Sequence, residues 1–165
     1  MGLTMNNINV EEFEYQMNTV GFSIFEDFIT EETCDNLKKK VTMEIENYQE
    51  SGNNRIHLDR CHLHDLVCKH IDVAKLLESD ELDKLLSLLL GDTWIMYAFT
   101  SSSCPPKSTN YGGRVHVDSP RWINGYPTNI GVIWAIDNFT IDNGATKVLV
   151  ASQHSEKMPT KKFFN

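Results

Sequence analysis

The chain has 165 residues, 41% of them hydrophobic and 23% charged, the balance of a single globular domain in water. No apolar run approaches the ~20 residues of a membrane span, and a net charge of −8 argues against a nucleic-acid partner, which needs a basic face. The opening residues lack the basic region and apolar core of a secretory leader, so the four irregularly spaced cysteines (34, 61, 68 and 104) read as reduced thiols of a cytoplasmic protein.

Asn9 followed by Glu12 forms a possible capping box, and Val10, Phe13, Met17 and Val20 recur at helical spacing up to a stop at Gly21. Phe22 to Ile29 reads as a short strand. Thr30 is placed to cap a second helix, with Glu31 and Glu32 in its first turn and a seam of Cys34, Leu37, Val41, Ile45 and Tyr48 that runs towards Gly52. Between residues 53 and 72 lies a run rich in His, Cys and Asp. On a helix, Cys61, His64 and Cys68 would share a face and form a candidate zinc site. The run lacks the short-spaced ligand pairs of structural zinc sites, and cysteines on a helical seam are more often small core residues.

A leucine-rich helix is expected from Val73 to Leu90, ended by Gly91, and Trp94 to Thr100 then reads as a strand. Ser101 to Gly113, with Pro105-Pro106 and Gly112-Gly113, is a loop. Extended structure returns at Arg114 to Asp118, at Asn129 to Ile136 and at Ala145 to Val150, the last after the turn signal Asn143-Gly144. The order, helices through residue 92 and short strands over 93–165, predicts an α+β domain whose core is a β-sandwich or barrel.

The chemistry centres on His116-Val117-Asp118. Residues two apart on an extended backbone project to one face, so an imidazole and a carboxylate are delivered side by side. They are two thirds of the 2-His-1-carboxylate triad that holds non-haem Fe(II). Lys107, Arg114 and Arg121 flank the motif with only Asp118 against them. That is the charge of a solvated loop, or of a site that receives an anionic substrate or cosubstrate.

In order along the chain, four features resemble the phytanoyl-CoA dioxygenase family of Fe(II)/2-oxoglutarate oxygenases. Gly21-Phe-Ser-Ile-Phe-Glu-Asp-Phe-Ile-Thr is similar to its opening segment. The leucine-rich helix, the strand after it and Pro105-Pro106 resemble its approach to the metal. His116-Val-Asp118 resembles its iron-binding His-x-Asp, and Asn143-Gly-Ala-Thr-Lys-Val its turn and strand before a Pro-Gly-Ser-His. The resemblance implies N-terminal helices packed on a double-stranded β-helix (jelly roll). It implies Fe(II) bound by His116 and Asp118, 2-oxoglutarate as cosubstrate, and hydroxylation of a C–H bond by O₂ with succinate and CO₂ as coproducts. It places Trp134 beside 2-oxoglutarate, Thr100 near a cosubstrate-lining position and Trp122 on the substrate side; Arg114, from the basic cluster, is a further candidate cosubstrate contact. Trp134 as plain core, Thr100 as a strand end and Trp122 as a loop anchor are the alternatives. Halogenating relatives replace the carboxylate with a small residue, so Asp118 implies hydroxylation.

The sequence also departs from the pattern. Val150-Ala-Ser-Gln-His154 stands where Pro-Gly-Ser-His is expected, and neither the distal histidine nor the 2-oxoglutarate arginine falls within residues 1–165. A jelly roll closes with about eight strands, and a half barrel would expose apolar faces and unpaired edges. The expectation is therefore the N-terminal portion of a longer enzyme, its C-terminal strands missing and its iron affinity weak at best. The competing expectation is an inactive binding or interaction module, and a small zinc protein built on residues 57–70 stands third.

Overall fold

A computed structural model of the chain describes residues 8–48, 61–104, 106–107, 115–119 and 121–158. Helix α1 spans Val10–Thr19, and its N-cap Asn9 accepts from the Glu12 amide through Oδ1 at 3.2 Å. Only half of the expected capping box forms, because Glu12 accepts from Gln16 Nε2 instead of reaching back to Asn9. Gly21 follows with φ +88°, and its amide donates to Gln16 O at 3.0 Å, which closes the helix. The strand expected over Phe22 to Ile29 is absent. That stretch forms no ladder with any described residue and turns at Asp27, whose φ is +54°. Its aromatics do the packing: Phe13, Phe25, Phe28 and Trp134 form a chain of tilted rings with centroids 5.8, 6.0 and 5.4 Å apart.

Helix α2 spans Glu31–Glu46, capped by Thr30, whose hydroxyl accepts from the Thr33 amide at 3.2 Å. The leucine-rich stretch is broken into pieces. Helices α3 (Leu66–Lys69) and α4 (Ile71–Ala74), then a 3-10 turn at Lys75–Leu77, precede α5 (Asp80–Leu90). The single helix expected over 73–90 is interrupted because Ser79 behaves as an N-cap. Its buried hydroxyl accepts from the Leu82 amide at 3.2 Å and donates to Glu81, and local side-chain bonding of this kind competes with helix continuation. Gly91 ends α5 as expected, with φ +85°.

The core forms where α2, the α3–α4 region and the segments carrying Phe99, Trp134 and Ile136 meet. Leu37, Val41, Leu63, Leu66, Val73 and Leu76 are its buried members. Each fully buried leucine contributes on the order of 1.5–3 kcal/mol by removal from water. Charged ties fasten its rim. Glu44 on α2 is 2.9 Å from both Lys69 Nζ and His70 Nε2, and Lys69 also meets Asp65 at 2.9 Å. Lys38 holds Asp137 at 2.7 Å, which fixes the end of segment 129–136 against α2.

The result is a mixed α+β arrangement with very little β-structure. Strand β1 (His62–Leu63) pairs antiparallel with β2 (Ser101–Ser102), His62 opposite Ser102 and Leu63 opposite Ser101, and an isolated bridge joins Ile123 to Tyr126. The strands expected at 94–100, 129–136 and 145–150 form no ladder, nor do the described residues of 114–118. A strand needs a hydrogen-bonded neighbour, and these segments have none among the described residues. Their apolar side chains stay in water: Tyr97 is 91% exposed, Ile141 90% and Ile95 80%. In segment 129–136, Ile130, Trp134 and Ile136 are half-buried, the last two against the core, whereas Gly131, Val132, Ile133 and Ala135 are exposed.

Candidate metal centre

His116 and Asp118 lie on the described segment 115–119, and the structure brings them together. His116 Nε2 stands 3.2 Å from Asp118 Oδ1, with 57% and 63% of the two side chains exposed. A neutral imidazole nitrogen and a carboxylate oxygen, adjacent and open to solvent, are donor types that Fe(II) accepts in the facial triad. Two donors of the set fit; no group of three or more His, Cys, Asp or Glu residues among the described residues is arranged to hold a metal.

Local bonding fixes the chain just past the carboxylate. Ser119 Oγ lies 3.3 Å from Thr128 Oγ1, and the Thr128 hydroxyl donates to Arg121 O at 3.2 Å. Between them Ile123 to Tyr126 turns tightly, with Gly125 at φ +71° and the Tyr126 amide donating to Ile123 O. The hairpin-like excursion at 119–128 thereby returns the chain to segment 129–136, beside Asp118. The second carboxylate oxygen faces that segment at Gly131, where an added Cβ would lie 3.3 Å from Asp118 Oδ2.

The remaining candidates are dispersed. Trp134 packs on Phe28 and against the helical core, which favours its reading as a framework residue. Thr100 is exposed immediately before β2, and Trp122 is partly exposed on the 119–128 excursion. Lys107 is exposed in a turn with φ +58°, and Arg121 is exposed beside Ser119. Arg114 lies outside the described residues. His154 is engaged elsewhere: its Nε2 is 3.2 Å from Asn18 O, Gln153 Nε2 donates to Met17 O and Asn18 O, and the Ala151 amide donates to Val20 O at 2.8 Å. Residues 151–154 thus latch onto the C-terminal end of α1.

The described part of the His/Cys run is not the single helix that a zinc face would require. Cys61 sits in a turn, buried to 2% exposure, His64 in a bend and Cys68 on α3. His62 and His64 stack edge to face at 4.8 Å, and burial, then the neighbouring His64, pushes the His62 imidazole below its ordinary pKa. Residues 53–60 of that run lie outside the described residues.

The pattern reading missed Gly131, Ser119 and Thr128. Gly131 left a trace, since it interrupts the β-branched run Ile130-Gly-Val-Ile133, and a glycine inside a strand pattern often marks the close approach of another group. Ser119 and Thr128 left none, because hydroxyl pairs across a nine-residue separation have no local signature.

A family model described as phytanoyl-CoA dioxygenase matches residues 17–165. Two uncharacterized mycobacterial proteins, one from Mycobacterium bovis and one from Mycobacterium tuberculosis, are each 27% identical to the chain over 162 residues. These alignments cover 93% of the chain and 59% of each relative, so the chain spans well under two thirds of the relatives' length. No solved structure matches it significantly.

Proposed function

The chain belongs to the phytanoyl-CoA dioxygenase family, and from that footing we propose that it carries two protein ligands, His116 and Asp118, of an Fe(II)/2-oxoglutarate-dependent dioxygenase that hydroxylates a small organic substrate. The observation that carries the reading is the imidazole–carboxylate pair, 3.2 Å apart and open to solvent, within the matched residues. When bound, Fe(II) with 2-oxoglutarate and O₂ supplies the oxidising power, one oxygen atom entering a C–H bond and the other entering succinate as CO₂ is released.

In this reading His116 offers Nε2 and Asp118 offers its carboxylate to the metal, and the 119–128 excursion holds their backbone in place. Trp134 and Phe28 tie segment 129–136, whose Gly131 faces Asp118, to the helical core. Thr100 and Arg114 are proposed cosubstrate contacts. Lys107, Arg114 and Arg121 supply positive charge suited to an anionic substrate or to 2-oxoglutarate itself.

We further propose that these residues are the N-terminal portion of a jelly-roll enzyme whose remaining strands provide the third ligand and the 2-oxoglutarate arginine. Two observations support this. The segments 94–100, 129–136 and 145–150 have no ladder partners among the described residues while exposing Ile95, Tyr97, Ile133 and Val148, and the curated relatives are longer than the chain. We place the protein in the cytoplasm because its four irregularly spaced cysteines read as reduced thiols; among the described residues no helix is long and apolar enough to cross a membrane. The test is anaerobic. Adding 2-oxoglutarate to the Fe(II)-loaded intact protein should produce a visible metal-to-ligand charge-transfer band, and His116→Ala should remove it. A band of equal strength in the variant would refute the ligand assignment.

A further inference from the structure

We infer that Gly131 is a positioning residue for the Asp118 carboxylate, kept free of a side chain so that the carboxylate can lie between His116 and segment 129–136. This deepens the proposed function and rests on Asp118 being a metal ligand. The two carboxylate oxygens have different neighbours: Oδ1 is 3.2 Å from His116 Nε2, and Oδ2 occupies the space in front of Gly131. A methyl group there would sit 3.3 Å from Oδ2, inside ordinary van der Waals contact. The oxygen must then retreat by a few tenths of an ångström, and because both oxygens belong to one rigid plane, Oδ1 moves as well. Metal–ligand distances tolerate only about 0.2 Å, so a displacement that is trivial for a solvated aspartate is large for a ligand.

Backbone conformation does not explain the glycine. Among the described residues four glycines have positive φ (21, 91, 125 and 144), and Gly131 is not one of them. An L-residue fits its backbone without strain, and alanine would suit an extended segment better than glycine does. Segment 129–136 turns Trp134 and Ile136 towards the core, so position 131 falls on the opposite, exposed face, the one that meets Asp118. Packing thus gives no reason for a missing Cβ, and the carboxylate gives one.

The test is titration of the intact protein, with its remaining strands, with Mn(II) into the millimolar range, read by paramagnetic broadening of the His116 ring signals in NMR, with thermal melting alongside. Four proteins are compared: the unsubstituted chain, Gly131→Ala, Asp118→Ala, and Ala135→Val, which adds bulk to the same face away from the carboxylate. Loss of a group that orients a ligand typically weakens metal affinity about 10–100-fold. Gly131→Ala should therefore need at least about tenfold more Mn(II) for half-broadening while melting at the same or a higher temperature, and Ala135→Val should bind as the unsubstituted chain does. A glycine with a merely structural role would show the reverse pattern, a lower melting temperature with unchanged binding. Gly131→Ala binding as the unsubstituted chain does, while Asp118→Ala loses binding, overturns this inference and leaves the metal assignment standing. Broadening that survives Asp118→Ala, or is absent from the unsubstituted chain, overturns both.

Discussion

The latch between residues 151–154 and α1 makes Gly21→Ala the most informative single substitution for the fold. Gly21 has φ +88°, a conformation that costs an L-residue roughly 1–2 kcal/mol. The new Cβ would also lie 2.5 Å from Gln153 Oε1 and 2.9 Å from Gln153 Cδ, so the amide must swing away. Its two hydrogen bonds to Met17 O and Asn18 O go with it, at about 0.5–1.5 kcal/mol each. The sum is roughly 2–5 kcal/mol, and at ~2–4 °C per kcal/mol for a chain of this size the melting temperature should fall by about 4–20 °C. Gln153→Ala alone should cost about 1–3 kcal/mol, since it loses both bonds, and it also removes the amide that a Cβ at position 21 would meet. In that background Gly21→Ala should cost only its backbone share. Chemical denaturation of the four proteins of this double-mutant cycle gives the coupling. A coupling near zero, or a cost below ~0.5 kcal/mol for Gly21→Ala alone, would refute the contact as the reason for the glycine.

Leu66 is 1% exposed at the centre of the core, and Leu66→Ala should cost about 2–5 kcal/mol in denaturant unfolding; a loss under ~1 kcal/mol would mean the cluster does not hold the helices together. Ser79→Ala removes a buried N-cap and should cost ~0.5–2 kcal/mol, with the loss of helix signal confined to α5. The Glu44 network makes a pH prediction. The Lys69 ammonium, with help from His70, holds the Glu44 carboxyl below its ordinary 4.5. Its contribution is therefore present above about pH 4.5 and is lost as pH falls through the lowered value. Glu44, then Asp65, raises Lys69 to about 12, so that side of the network persists below 10.5 and is lost only as pH rises through about 12. Glu44→Gln should flatten the acid limb of a melting-temperature profile below pH 4.5, and an unchanged acid limb would assign acid sensitivity to other carboxylates.

Local signals read from the sequence survived wherever local chemistry decides the outcome. Asn9, Thr30, Gly21 and Gly91 delimit helices as their side chains or positive φ dictate, because a cap is settled within a few residues. Ser79 is the instructive failure. Leucine periodicity runs across it, yet its hydroxyl starts a new helix, and periodicity carries no information about which serine will do so. The expected strands fail for a different reason. Apolar composition at 129–136 marks a segment that seats Trp134 and Ile136 against the core, but pairing depends on neighbours that the pattern does not contain. At the candidate site, period two placed His116 and Asp118 together, while the approach of Gly131 arises only when a distant segment folds back.

The central claim is that Asp118 binds iron that turns over 2-oxoglutarate. It is tested most directly by measuring Fe(II)-dependent succinate formation from 2-oxoglutarate in the intact protein and in its Asp118→Ala variant, with melting temperatures to confirm folding. Asp118 is 63% exposed, so the substitution should leave the fold intact. The account requires Fe(II)-dependent succinate from the unsubstituted protein and its loss in the variant. Succinate formed at the same rate by both would contradict it.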